Sequence, residues 1–395
     1  MSGCVNVGII GIGSMGGTHA ERLYNGSVSG LRLVSVCDVD RSRLDRAKEL
    51  YPGIKIYTDC ADLVGDKHVD AVIIAAPHYF HPPAAELAFA AGLHVLSEKP
   101  AGVYAAQVQG MIGAAKKAGT VFCVMHNQRT DPIFKRMREM VKDGSLGELK
   151  RLNWIITNWY RTQAYYDSGG WRASWAGEGG GVLINQAYHN IDLWQWIFGM
   201  PQSIAAFCKT GRYHDIETED EAVIYAEYNK NGKDGPTAIF IASTGEYPGD
   251  NRLEITGDRG KLVAENGRLK FWKLSEPERE VTRSSKEAFD CIPTEETDVT
   301  PNETETDGHL AILQNFSDAI LHGAELISPG AEAINGVQIF NAAYMSSWSG
   351  RHVSLPVDPE QYKAALDEKI KNSKKTAAVG EAVASEGKGR WNVRW

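Results

Sequence analysis

Cysteine is sparse and unpaired along the chain. The six residues, Cys4, Cys37, Cys60, Cys123, Cys208 and Cys291, show no CxxC spacing. That excludes a disulfide framework and a cysteine-based zinc site, and no metal is expected; the thiols read as reduced, in a reducing compartment. No apolar run approaches the ~18 residues that cross a bilayer, so no membrane partner is expected. There is no basic surplus either. Lys and Arg total 42 against 50 Asp and Glu, a net charge of −8, which leaves nothing to neutralise a phosphate backbone and argues against a nucleic-acid partner. The N-terminus has no basic flank and apolar segment ending in a cleavage site, so no signal peptide and a cytoplasmic location are expected. Internal repeats and low-complexity tracts are also missing. What is present is an ordinary globular balance, 43% hydrophobic and 23% charged, over 395 residues. That length exceeds one ordinary core and predicts two domains.

The first 125 residues alternate short apolar runs with helical patterns. Val5–Ile10, Leu31–Cys37, Ala71–Ala75, His94–Ser97 and Val121–Met125 read as strands. Thr18–Tyr24, Arg41–Leu50, Pro83–Ala91 and Gln107–Ala118 read as helices between them. Such alternation implies βαβ units, and continuous apolar strands fit a parallel sheet covered on both faces. After a helix at Pro132–Lys142 the pattern changes. Lys150–Asn158, Ser203–Lys209, Ala222–Tyr228, Thr237–Ser243 and Arg252–Thr256 alternate polar with apolar residues, as in a half-buried, largely antiparallel sheet. Helices are predicted over Leu183–Phe198, His309–His322 and Glu332–Trp348. Glu276–Asp307 is acidic and aperiodic, and is expected to be a surface excursion. The divisions expected are 1–125, 126–370 and a tail at 371–395 in which Trp391 and Trp395 could dock.

Gly11, Gly13 and Gly16 form Gly-Ile-Gly-Ser-Met-Gly, directly after the first strand and before a helix. GxGxxG alone is a weak signal; this placement makes it the fingerprint of a Rossmann domain. The first glycine permits the tight turn, the second lets backbone approach a pyrophosphate, and the third lets helix and strand pack closely. Ser14 and Met15 complete the loop, and the helix N-terminus offers N–H groups to phosphate. Asp38, 22 residues after Gly16, closes the second strand, where an acid accepts from ribose hydroxyls and repels a 2′-phosphate. NAD is therefore expected rather than NADP, with Arg41 and Arg43 softening the preference. The fold class expected is α/β: an N-terminal Rossmann domain with a C-terminal α+β domain built on a large, mostly antiparallel open sheet.

Four further patterns occur in order: Ala75-Ala76-Pro77-His78-Tyr79-Phe80-His81; Glu98-Lys99-Pro100; Asn127-Gln128-Arg129 with Pro132; and Gly179-Gly180-Gly181-Val182-Leu183-Ile184-Asn185-Gln186-Ala187-Tyr188-His189-Asn190-Ile191-Asp192. From the glycine loop to about residue 362, the chain resembles the glucose–fructose oxidoreductase, inositol dehydrogenase and rhizopine-catabolism (Gfo/Idh/MocA) family. The resemblance implies that Lys99 anchors the reacting hydroxyl beside the nicotinamide and that His189 is the general acid/base. It implies that Asp192 reaches substrate hydroxyls, and that Ala76, Pro77, His81, Glu98, Lys99 and Asn127 line the cofactor pocket. Asn185 departs from the pattern, since inositol dehydrogenase-like members carry aspartate there. Asparagine cannot relay a proton but can orient a hydroxyl or the histidine. On a helix, Asn185, His189 and Asp192 at i, i+4 and i+7 would share one face. Taken singly, each of these residues has a bland reading as a structural or surface group.

Trp154–Trp175 holds Trp154, Trp159, Tyr160, Tyr165, Tyr166, Trp171 and Trp175, interleaved with Arg161 and Arg172. Aromatic faces suit sugar C–H faces and arginines bond hydroxyls, so Tyr160, Arg161, Trp171 and Arg172 join Asn185 and Asp192 as expected substrate contacts. About half of these aromatics are expected to pack a core or an interface. The function expected is an NAD-dependent dehydrogenase oxidising a secondary hydroxyl of a pyranose sugar or glycoside, at C3 by preference, to a 3-oxo product. Alternatives are a myo- or scyllo-inositol dehydrogenase, a redox-neutral NAD-dependent glycosidase, and a non-catalytic sugar-sensing regulator. The family resemblance further implies a homodimer or homotetramer paired through the open sheet face.

Overall fold

The computed structural model describes residues 3–230, 233–303 and 307–373, so Trp391 and Trp395 lie outside the described residues. The first domain runs β1 (Val5–Ile10), α1 (Ser14–Tyr24), β2 (Leu31–Cys37), α2 (Arg41–Leu50), β3 (Lys55–Tyr57), α3 (Cys60–Val64), β4 (Ala71–Ile74), α4 (His81–Ala90), β5 (His94–Ser97), α5 (Ala105–Ala118) and β6 (Phe122–Val124). The six strands are parallel, in the order β3-β2-β1-β4-β5-β6. That is the doubly wound arrangement, which opens its crevice at the carboxyl ends of β1 and β4, where the strand order reverses. All four residues of β4 are buried, as a strand covered on both faces requires.

The second domain begins with α6 (Pro132–Lys142) and continues through β7 (Leu149–Ile156), α7 (Gln163–Asp167), α8 (Tyr188–Phe198), β8 (Ser203–Thr210), β9 (Glu219–Lys230), β10 (Lys233–Ser243), β11 (Asn251–Gly257), β12 (Gly260–Glu265) and β13 (Arg268–Leu274). α9 (Glu278–Ser284) and β14 (Thr294–Asp298) follow, then α10 (Gly308–His322), α11 (Ala333–Ser349), β15 (Val353–Ser354) and α12 (Pro359–Lys371). Its nine strands are ordered β14-β13-β12-β11-β7-β10-β9-β8-β15 and are antiparallel except for the β7–β10 pair. One face is core. Leu152, Trp154 and Ile156 of β7 alternate inward, and Trp154 packs edge-on against Phe240, which stacks on Trp194 of α8. The other face is bare in the single chain, with Phe207 68% exposed and Ile155, Tyr225 and Ile239 also exposed. This is the surface through which copies are expected to pair.

Three differences from the sequence expectations have physical reasons. The stretch 276–307 is not aperiodic throughout: α9 and β14 lie within it, and β14 adds an edge strand to β13. Every residue of β14 is exposed, so no apolar alternation marked it. The helix predicted over Leu183–Phe198 starts only at Tyr188, because the glycines before it lead into a run of turns. Third, α10 leaves the second domain and packs on the first. Ile312, Leu313 and Phe316 join a core made by Val5, Val7, Ile9, Leu31 and Leu33. Ser317 Oγ and Gln314 Nε2 donate to the carbonyl of Ser29, fixing the helix there.

The fully buried Phe316 gives this docking a measurable weight. Phe316→Ala is expected to cost about 3–5 kcal/mol of stability in urea unfolding followed by far-UV circular dichroism. A loss below about 1 kcal/mol would show that α10 is not part of that core.

Candidate active site

The glycine loop sits at the mouth of the first sheet. Gly11 has φ +87°, and a Cβ there would meet the Ala75 carbonyl at 2.7 Å. A Cβ on Gly16 would fall 1.9 Å from the Gly11 carbonyl oxygen. At Gly13 the nearest neighbour of a Cβ would be Arg43 Nη1 at 3.6 Å, so this side of the loop is open to a ligand. Gly13 is also the N-cap of α1 and supplies no side-chain acceptor, which leaves the first N–H groups of that helix for phosphate. Asp38 accepts from Ile12 N at 2.8 Å and from Asp40 N at 2.9 Å, and so ties β2 to the glycine loop. A carboxylate has about four acceptor positions, so capacity for ribose hydroxyls remains. Arg43 Nη1 lies 3.5 Å from it. Ser14 is exposed and Met15 half-buried in the first turn.

The loops after β4 and β5 form the next layer. His81 stands between two carbonyls, Pro100 O at 2.8 Å and Ala76 O at 2.6 Å, and so couples the loop carrying Ala76 and Pro77 to the Glu98-Lys99-Pro100 loop. His78 Nδ1 lies 3.0 Å from the carbonyl of Glu178 in the second domain. Glu98 accepts from His19 Nε2 at 2.8 Å and from Lys99 N at 3.2 Å. Burial alone would raise its pKa, but the His19 bond and charge bring it down to about 2. Asn127 Oδ1 is buried and has no protein partner among the described residues, as suits a group facing a cofactor.

Lys99 Nζ donates to Asn185 O at 3.0 Å and to Asn185 Oδ1 at 3.2 Å. Burial pulls its ammonium down to about 8; Glu98 and Glu178 oppose the drop, and Arg172 and Arg161 add to it. Asn185 Nδ2 in turn donates to Glu178 Oε1 and to the Tyr165 hydroxyl. The buried Glu178 also accepts from Ala173 N at 2.6 Å. Burial raises its pKa, against the pull of Arg172. His189 stacks on Trp159 with centroids 6.5 Å apart, and its Nδ1 is buried with no partner among the described residues. Burial, then the charge of Lys99, holds its pKa well below the usual value, so the ring is neutral at neutral pH.

Asn185 therefore lies in the turns before α8 and His189 in its first turn, so the two do not share one helical face. Asp192 does not extend that face either. It is 2% exposed, and both its oxygens accept from Arg129, Oδ2 from Nε at 2.8 Å and Oδ1 from Nη2 at 2.7 Å. Arg129 Nη1 also pairs with Glu332. Where substrate contact was expected of Asp192, the carboxylate is committed to a buried ion pair joining α8 to the loop after β6. Of the aromatics, Trp154 and Tyr166 are core. Trp175 packs edge-on against Tyr344 and Trp348. Tyr160 lies at the rim, 44% exposed and beside Tyr247. Trp171, half-buried, meets His78 edge-on. Arg161 and Arg172 both lie against Tyr165.

The sequence reading assigned no role to Glu178, His19, Gln186 or Arg129. Glu178 carries one signal, an acid set directly before the triple glycine; His19 carries none, because only the fold brings it to Glu98.

A dinucleotide crevice, a lysine of lowered pKa and a neutral histidine define a nicotinamide-dependent oxidoreductase. The comparisons agree. Residues 5–126 match the family model described as oxidoreductase family, NAD-binding Rossmann fold, and residues 134–263 match the GFO/IDH/MocA C-terminal domain. A myo-inositol 2-dehydrogenase of Thermotoga maritima is 30% identical over 271 residues, 67% of this chain and 76% of that one. An inositol 2-dehydrogenase of Salmonella typhimurium is 36% identical over 264 residues, 65% of this chain and 72% of that one. Among solved structures, the WlbA dehydrogenase of Chromobacterium violaceum, in complex with NADH and UDP-GlcNAcA, is 25% identical with a TM-score of 0.76, covering 90% of this chain and 97% of that one. The chain belongs to the Gfo/Idh/MocA family of oxidoreductases and uses NAD.

Arg129→Met would leave Asp192 buried and uncompensated. It is expected to cost about 3–5 kcal/mol in chemical denaturation. An unchanged midpoint together with a raised KM would instead return Asp192 to the substrate site.

Proposed function

We propose that this chain is an NAD-dependent dehydrogenase oxidising a secondary ring hydroxyl of a pyranose sugar or glycoside, at C3 by preference, to a 3-oxo product. The observation that carries the proposal is the Lys99 ammonium held by both oxygens of Asn185, with a neutral His189 four residues on. Bound NAD supplies the acceptor for the hydride leaving carbon. Lys99 donates to the hydroxyl oxygen and stabilises the alkoxide charge that develops there. His189, neutral, takes the hydroxyl proton. The products are a ketone, reduced cofactor and one proton passed to solvent. Asn185 aligns the lysine without carrying a proton, and Glu178 behind it provides the negative charge that asparagine lacks. The second reading, an inositol dehydrogenase, is favoured by the 30% and 36% identity to inositol 2-dehydrogenases.

The test follows reduced nicotinamide with NAD and with NADP over free hexoses, alkyl and aryl glucosides and inositols. NAD reduction by one class is expected, with kcat reduced at least about a hundredfold in Lys99→Ala and in His189→Ala, the scale of general acid–base catalysis. Cleavage of glycosides without net reduction would point to the redox-neutral glycosidase, and binding without turnover to a sensor.

The pH dependence has a defined sign. Lys99, lowered to about 8, is charged below that value, so kcat/KM is expected to fall as pH rises through about 8. Glu178 raises the Lys99 pKa. Glu178→Gln is therefore expected to move the alkaline limb to lower pH. A limb that stays in place would remove Glu178 from this role.

A further inference from the structure

Arg161 and Arg172 come from the two ends of the α7 segment, yet they converge on one ring. The guanidinium carbon of Arg172 lies 4.5 Å from the Tyr165 centroid and that of Arg161 lies 5.1 Å from it. Each also lies against a tryptophan, Arg172 on Trp171 at 4.8 Å and Arg161 on Trp159 at 5.6 Å. Such contacts fix the plane of a guanidinium and strip part of its hydration. Arg172 Nη1 donates to the Tyr165 hydroxyl at 2.7 Å. The same hydroxyl is bonded to Gln186 Nε2 at 3.0 Å and to Asn185 Nδ2 at 3.3 Å. Arg172 is thus two hydrogen bonds from the side chain that holds Lys99.

Two carboxylates stand near and offset part of this charge, Glu178 feeling the pull of Arg172, but among the described residues neither forms an ion pair with an arginine. Glu98 is engaged by His19 and the Lys99 amide. Glu178 is engaged by the Ala173 amide and Asn185. Among the described residues Arg172 forms no ion pair, and its side chain makes one hydrogen bond, to the Tyr165 hydroxyl. Three cations, Lys99, Arg161 and Arg172, thus meet two carboxylates, Glu98 and Glu178, around the hydroxyl-binding floor; Arg161 Nη1 also donates to the carbonyls of Trp159 and Tyr160. A half-buried guanidinium held flat on aromatic rings with donors to spare is shaped for a planar or tetrahedral oxyanion. Neutral hydroxyls alone would leave the excess of three cations over two carboxylates unmatched.

Resting on the dehydrogenase reading, we infer that the ring polyol oxidised here carries an oxyanion, carboxylate or phosphate, close to the reacting hydroxyl, and that Arg172 receives it with Arg161 adding to the field. The oxidation is unchanged by this: the C–H electron pair leaves as hydride, the hydroxyl proton leaves through His189, and the oxyanion keeps its charge throughout.

The test measures both turnover with NAD and binding to the NADH-loaded protein. Its arms are glucuronate and galacturonate against glucose and galactose, and glucose 6-phosphate and an inositol monophosphate against glucose and myo-inositol. At least one acid is expected to exceed its neutral partner tenfold or more in kcat/KM or affinity. Arg172→Met is expected to lower that acid's affinity roughly ten- to a hundredfold, the scale of one charge-assisted bond, and to lower the neutral partner's affinity by much less, so that the preference for the acid is lost while NADH affinity stays within about twofold. Preference for the uronates assigns a carboxylate, and preference for the phosphates assigns a phosphate. If no acid is preferred, or if the preference survives Arg172→Met, the inference is overturned. Neutral polyols oxidised with Lys99 and His189 dependence but no acid preference would leave the dehydrogenase reading standing alone. Arg172-dependent binding of acids without NAD reduction would do the reverse.

Discussion

A buried ammonium needs oxygen around it, and in this molecule that requirement joins two domains. Lys99 leaves the end of β5 in the parallel sheet, and both oxygens it contacts belong to Asn185, in the turns before α8. One of them is a backbone carbonyl, a dipole that never titrates, so the lysine keeps an acceptor whatever the protonation of its neighbours. The surrounding groups serve this contact. Glu98 is held by His19 and grips the Lys99 backbone; His78 reaches the Glu178 carbonyl; Glu178 fixes the Asn185 amide. Removing water from such a cluster costs about several kcal/mol for each unpaired charge, which is why every member is bonded to another.

The site separates two uses of charge. Arg129 and Asp192 neutralise one another deep between α8 and the loop after β6, with Glu332 as a second acid. Burial alone would raise the Asp192 pKa, and His126 and Arg129 beside it reverse that. Such a pair has no function in proton transfer because neither partner can change state near neutrality. Lys99 and His189 are the opposite case. Burial and like charges pull both pKa values down, which brings the lysine's proton exchange closer to neutrality and keeps the histidine unprotonated, ready to accept.

Much of this was legible along the chain. The glycine loop, Asp38 and the Glu-Lys-Pro turn are short-range patterns fixed by backbone geometry, so the first domain and its cofactor could be read from residues 5 to 100. The helical pattern around His189 was legible too, but not its first residue. Three glycines before residue 182 favour turns, and the apolar Val182-Leu183-Ile184 that follow are buried without being helical. Asp192 looked equivalent to His189 by spacing, yet spacing alone cannot show that an arginine 63 residues away occupies it. Arg161 and Arg172 were singled out along the chain but not their convergence on Tyr165, and His19 was illegible, since these partners are set by the fold. β3, three residues long, and β14, wholly exposed, lack the length or the apolar alternation that marks a strand.

The docking of α10 has a consequence for how the chain is made. Strands β1 and β2 emerge from the ribosome first, but the helix that covers one side of them, through Ile312, Leu313 and Phe316, is synthesised almost three hundred residues later. Until then, apolar surface beside Val5, Val7 and Leu33 stands uncovered while all but the last strand of the second sheet is being translated. The nucleotide-binding half therefore closes late although its strands are made early, and a gene fragment ending before residue 308 encodes a cofactor domain with one wall missing.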